Sequence, residues 1–168
     1  MTTVFVVLET PLFPKFCGIE SMSTESIIPT VSPDAEVPFE VVSENWNVYD
    51  LADGTILKIR PIVVKVFNID QPAPNKGFAI ASQNVLVVNA PKGLRGKPSV
   101  STREDMEKLQ KVAVGFTAKA EPWNVYKVNK ITLKVRMIVT DVKKAEGGFD
   151  RFGQPLYFVK SDSIMHTE

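Results

Sequence analysis

The segment ENWNVYDLADGTILKIRPIVVKV, which begins at Glu44, returns as EPWNVYKVNKITLKVRMIVTDV from Glu121. Two copies of one pattern must find the same local structure twice, and this constrains the fold more than any other feature of the chain. At an offset of 77, Glu44, Trp46, Asn47, Val48 and Tyr49 fall on Glu121, Trp123, Asn124, Val125 and Tyr126. At an offset of 76, Leu57, Lys58, Arg60, Ile62, Val63 and Val66 fall on Leu133, Lys134, Arg136, Ile138, Val139 and Val142. The one-residue slip lies between two strand-like runs, where a turn absorbs it.

In the first copy Asp53-Gly54 separates the runs, and this dipeptide accepts the positive φ of a two-residue hairpin turn. Asn129-Lys130 takes its place in the second copy, less well, because lysine resists positive φ. A loop then leads to a third apolar run, FAIASQNVLVV or LYFVKSDSIMH, in which Ser82 and Val85 fall on Ser161 and Ile164 at an offset of 79. The expectation is three strands in each copy. The second is about a dozen residues, against a usual five or six. Its apolar phase changes beyond Pro61, which predicts a bulge near Arg60-Pro61.

Between the copies, NAPKGLRGKPS reads as a flexible basic loop and STREDMEKLQKVA as a helix. Ser101 and Glu104 form a capping box, Met106, Leu109 and Ala113 make an apolar stripe, and Gly115 terminates the helix. Residues 1–36 show no useful periodicity and are broken by prolines, so they read as an extended arm, with Met22 as an alternative start of translation. The expected fold is all-β with one short helix: a pseudo-twofold six-stranded barrel or sandwich built from two three-stranded repeats. Repeat one covers 37–89, the linker and helix 90–115, and repeat two 116–168, all in a single domain. At 168 residues, neither half holds enough core to stand alone.

Composition narrows the functional classes. No apolar run approaches the roughly 20 residues that span a bilayer, and VFVVL lacks the flanks of a secretion signal. With a lone Cys17 no intrachain disulfide forms, so a reducing, cytoplasmic location is the expectation. One cysteine and one histidine cannot assemble a zinc site, and no metal or cofactor is expected. His166 reads as part of a strand end. GLRGKPS lacks the glycine spacing of a phosphate loop, and no pair of carboxylates has a spacing that marks acid and base work.

Residues 37–168 hold 19 basic and 14 acidic side chains. The most suggestive basic feature is Lys58 and Arg60, repeated as Lys134 and Arg136. Residues two apart on a strand share a face, and Trp46, Tyr49, Trp123 and Tyr126 lie near in the pattern. Cations beside aromatic rings are what single-stranded nucleic-acid binders use. A wet charged face and a structural role for the repeated aromatics are the simpler reading. Three functions are therefore expected, in this order. The first is a non-catalytic intracellular module that binds a protein partner or assembles with itself. The second is a nucleic-acid binder using Lys58, Arg60, Lys134 and Arg136 with the loop residues Lys92, Arg95 and Lys97. The third is a small-ligand binder or enzyme whose site lies in a barrel mouth between the loops at 68–77 and 143–155.

Overall fold

The computed structural model describes residues 35–69, 77–100 and 102–168. The expected arm with Cys17 and the Met22 start, the capping residue Ser101 and most of the loop at 68–77 lie outside them. Ten strands and one helix are described: β1 (Glu36–Val37), β2 (Glu40–Ser43), β3 (Asn47–Leu51), β4 (Ile56–Ile69), β5 (Gly77–Asn89), α1 (Arg103–Lys108), β6 (Lys111–Ala113), β7 (Phe116–Ala120), β8 (Asn124–Val128), β9 (Ile131–Phe149) and β10 (Pro155–Thr167). They form two antiparallel five-stranded sheets. Neither closes on itself, so the expected six-stranded barrel gives way to two open sheets and ten strands.

In the first sheet β4 pairs with β5 along its whole length, while its other edge takes β3 at Ile56–Ile59 and β1 at Val66–Phe67. The second sheet has the same plan: β9 pairs with β10, and its other edge takes β8 at Ile131–Val135 and β6 at Lys143–Ala145. The remaining short strands are exchanged. β7 extends the first sheet by pairing with β3, and β2 extends the second by pairing with β8. The sequence offsets run through these registers. Val48 pairs with Lys58 as Val125 does with Lys134, and Arg60 pairs with Val85 as Arg136 does with Ile164.

Buried residues along β4 are Leu57, Ile59, Pro61 and Val63, and then Val66. Alternation therefore continues through Pro61, and the extra residue is Val64, skipped between the pairs Val63–Ser82 and Lys65–Ala81. Thr140 is skipped in the same way in β9. The expected bulge at Arg60-Pro61 is thus displaced to Val64. Ile62 and Val64 are outward-facing apolar residues, Val64 being 48% exposed, and they mimic an earlier change of phase. Pro61 is tolerated because this stretch of β4 has a strand neighbour on one side only.

The interior has two cores, and each draws on both sheets. One gathers Tyr49, Leu57, Ile59 and Leu86 with Met137, Val139 and Tyr157; the other gathers Val63, Val66, Phe78 and Ile80 with Tyr126, Leu133 and Val135. Strands β4 and β9 therefore each run from one core into the other.

Turn and helix details differ from expectation. The first hairpin loop has four residues, Ala52 to Thr55, with only Gly54 at positive φ (84°). The Leu51 N–H donates to the Thr55 carbonyl and that of Gly54 to the Leu51 carbonyl, each at 2.9 Å. In the second loop Asn129 takes the positive φ (57°), so Lys130 does not have to. The helix is shorter than expected and is capped by Thr102 with Asp105, whose side chain and amide bonds are reciprocal. Lys111–Ala113 is strand instead of helix, because it pairs with β9.

Candidate functional site

Between Ile59, where β3 ends its pairing, and Val66, where β1 begins, one side of β4 has no strand beside it; β9 has the same gap between Val135 and Lys143. Backbone groups left in such a gap must find partners once they are buried. The repeated Trp-Asn-Val-Tyr segments supply them, each reaching into the other sheet. The Asn47 Nδ2 donates to the Met137 carbonyl at 2.8 Å, and the Val139 N–H donates to the Tyr49 hydroxyl at 3.3 Å. Reciprocally, the Asn124 Nδ2 donates to the Pro61 carbonyl at 3.4 Å, and the Tyr126 hydroxyl accepts from the Val63 N–H.

The glutamates that open the two segments complete the exchange. Tyr49 donates to Glu121 Oε1 at 2.9 Å and Tyr126 to Glu44 Oε1 at 3.0 Å. These are bonds to ionised acceptors, stronger than neutral ones. Asn45 adds a third link through its backbone N–H to Asn124 Oδ1 at 2.7 Å. The two segments thus lock the sheets together.

The repeated arginines belong to it. Lys58 and Arg60 alternate with buried Leu57 and Ile59 on β4, and Lys134 and Arg136 with buried Leu133 and Val135 on β9. Each pair accordingly faces away from the core on its own sheet. The Arg60 guanidinium lies 5.1 Å from the Trp46 ring centre and that of Arg136 6.0 Å from Trp123, within the range of cation–π attraction. Arg136 also donates to Glu121 at 3.1 Å, and Lys134 bridges to Glu168 at 2.8 Å. The Nε of each arginine is sealed from solvent.

All three tyrosines of the chain, Tyr49, Tyr126 and Tyr157, are at most 1% exposed. Burial raises each phenol above its ordinary value, and a carboxylate acceptor raises it further: Glu121, Glu44 and Asp53 respectively. A folded pKa above the unfolded one near 10 means stability present below that value and lost as pH rises past it. Phenolate absorbance is therefore expected to appear in one steep step that coincides with loss of the β-sheet circular dichroism signal. A gradual titration near pH 10 with the signal intact is the contrary result.

Sequence reasoning explained Asp53 by turn geometry, which accounts for its backbone but not for its carboxylate. Asp53 Oδ2 accepts from the Tyr157 hydroxyl at 2.6 Å and lies 3.5 Å from Lys144 Nζ, while Oδ1 accepts the Thr55 N–H at 3.1 Å. The Thr55 hydroxyl, itself buried, is 2.9 Å from the Tyr157 oxygen. Burial opposes ionisation of Asp53, but the bonds from Tyr157 and Thr55 and the Lys144 charge outweigh it and hold the pKa low. Because the folded value is depressed, this stabilisation is present above the ordinary aspartate range, about 4, and is lost as pH falls through the lower folded value. Asp53→Asn is expected to flatten that part of an acid denaturation profile. An unchanged acid limb would show that the carboxylate contributes nothing. Nothing in the sequence flagged Tyr157 or Lys144, which lie 104 and 91 residues away in the chain.

The basic loop packs on the β9–β10 hairpin. Its Gly96 N–H donates to the Gly153 carbonyl at 3.0 Å, Ser99 Oγ donates to the Gly147 carbonyl at 2.8 Å, and the Phe149 N–H donates back to Ser99 Oγ at 3.0 Å. Lys92 to Leu94 form a single 3-10 turn, and Arg95 Nε donates to the Ala90 carbonyl at 3.1 Å. Exposed Lys92, Arg95 and Lys97 consequently stand near the hairpin tip, where Arg151 lies 4.7 Å from the ring of Phe152, itself 47% exposed. Asp150 is occupied in shaping that tip, its Oδ1 accepting from the Phe152 and Gln154 amides at 2.8 Å each.

The expected loop at 143–155 is mostly strand, since β9 runs to Phe149. One cleft, about 120 Å³, lies at Lys111, Asp141, Lys143, Phe158 and Lys160, smaller than the 300–1,000 Å³ of usual ligand sites. Among the described residues no three metal-ligating side chains come together, and no helix is long and apolar enough to cross a membrane. His166, on β10, is 60% exposed and 3.6 Å from Glu168. Compared with family models, with curated proteins and with solved structures, the chain matches none.

Proposed function

We propose that the chain is a duplicated, non-catalytic interaction module that acts inside the cell through its surface, binding a protein partner or assembling with itself. The supporting observation is the reciprocal lock. Glu44, Asn47 and Tyr49 of one copy and Glu121, Asn124 and Tyr126 of the other are engaged in joining sheets, across partners 63 to 90 residues apart. The shared offsets and exchanged strands favour a gene duplication whose copies have a pseudo-twofold relation. The lone cysteine favours a reducing compartment. With the polar motif engaged internally, the outside of the sheets is the surface left for function.

A second reading, single-stranded nucleic-acid binding, draws support from the hairpin tip, where exposed Phe152 stands among Arg151, Lys92, Arg95 and Lys97. Lys58, Arg60, Lys134 and Arg136 are poorer candidates, because both arginines lie against tryptophans and Lys134 is bridged. A photo-activatable cross-linker placed at Val42, 54% exposed, and at Phe152 is expected to give protein adducts and none with nucleic acid. An oligonucleotide complex that weakens steeply with salt, and is lost when Lys92, Arg95 and Lys97 become alanine, overturns the first reading in favour of the second.

A further inference from the structure

We infer that β5 is the surface through which two copies of this chain pair, its free edge lying antiparallel beside the β5 of a second copy so that two five-stranded sheets join into one. This rests on the reading of the chain as an interaction module and names its partner. Among the described residues β5 has a strand neighbour on one side only, β4, so its other side presents unpaired N–H and C=O groups from Gly77 to Asn89. An open edge is a template for another strand, and folded proteins blunt it with charge, proline or shortness.

The other outer strands here are blunted. β1 carries Glu36, β2 Glu40, β6 Lys111, β7 Lys119, and β10, the partner of β9 as β5 is of β4, carries Lys160, Asp162 and His166. The four short ones have at most five residues. By contrast β5 has 13 residues, GFAIASQNVLVVN, without one charge or proline. Of two strands that occupy the same place in their sheets, one is protected and the other is not.

A second copy fits this edge better than a charged or irregular partner does. Antiparallel pairing about a twofold axis is self-complementary. With the axis near Gln83, the middle of the strand, neutral residues meet neutral residues, and the half-buried outer valines Val85 and Val87 extend an apolar stripe. The nearest cations, Lys58, Arg60 and Lys65, the last bridged to Glu36, stand one strand back on β4. Across two intervening β5 strands, at about 4.8 Å per strand, the two β4 strands lie about 14 Å apart, beyond the screening length of roughly 8–10 Å. Their repulsion therefore does not oppose pairing.

Ser82 and Gln83 are exposed, so charges can be placed there without disturbing either core. Sedimentation equilibrium on the full chain is expected to show a dimer. The variants Ser82→Lys/Gln83→Lys and Ser82→Glu/Gln83→Glu are each expected to keep the thermal midpoint and to weaken dimerisation by about tenfold or more. An equimolar mixture of the two is expected to recover dimer as a mixed pair, because opposite charges then meet at the axis. A dimer that both variants leave intact overturns the inference while the interaction-module reading stands. A chain that is monomeric throughout also overturns it, as does one that dimerises only when residues 1–34 are removed, which gives the edge to the chain's own N-terminal segment. Failure of the broader reading shows elsewhere, in the salt-sensitive oligonucleotide complex described above.

Discussion

Replacing Tyr126 with alanine is expected to lower stability by about 3–5 kcal/mol, the range for removing a buried aromatic ring. Against the roughly 5–15 kcal/mol available to a domain, that moves a urea midpoint down by about 2 M. The ring is fully buried in the second core and meets Phe39 edge-on at 5.9 Å. Its hydroxyl serves Glu44 and the Val63 amide, both in the first half of the chain. Tyr126→Phe keeps the ring and removes only those bonds, so a smaller loss of about 1–3 kcal/mol is expected. Equal effects of the two substitutions in chemical denaturation would show that ring packing contributes nothing.

Gly153→Ala is the second large effect, about 2–3 kcal/mol, although the position lies in a hairpin tip. Gly153 has φ +76°, which costs an L-residue about 1–2 kcal/mol. Its added Cβ would also stand 2.4 Å from the Gly96 carbonyl oxygen, a backbone atom that cannot swing aside. The basic loop must then lift, losing the Gly96-to-Gly153 hydrogen bond at about 1 kcal/mol more. Gly93→Ala meets nothing within 4 Å and serves as a near-neutral control. Thermal denaturation of the two variants checks the contrast, and similar midpoints would contradict the close packing of loop on hairpin.

The mostly β character with one short helix was legible because it depends on local alternation and turn chemistry. Exchange of β2 and β7 was not. These strands are four and five residues long and almost wholly exposed, so no apolar alternation marks them. The bulge was misplaced because Ile62 and Val64 are apolar on the outer face. Aligning Thr140 with Val64 would have located the slip, since a threonine there breaks the false apolar run. The Trp-Asn-Val-Tyr segments were visible as a repeated unit, but a sequence does not say that Tyr49 answers Glu121 and Tyr126 answers Glu44. That pairing depends on how one sheet lies on the other. The helix was overextended because Ala113 continues the apolar stripe of Met106 and Leu109, and it is the pairing with β9 that makes Lys111–Ala113 strand.

If the two sheets are held as one unit by their exchanged contacts, the damage from one tyrosine must be felt in both cores. Native-state hydrogen exchange on Tyr126→Ala reads this directly at Leu133 and Val135, beside the substitution, and at Leu57 and Ile59, in the other core. The account predicts that protection falls by the same factor at all four amides. A fall confined to Leu133 and Val135, with Leu57 and Ile59 protected as before, would contradict it.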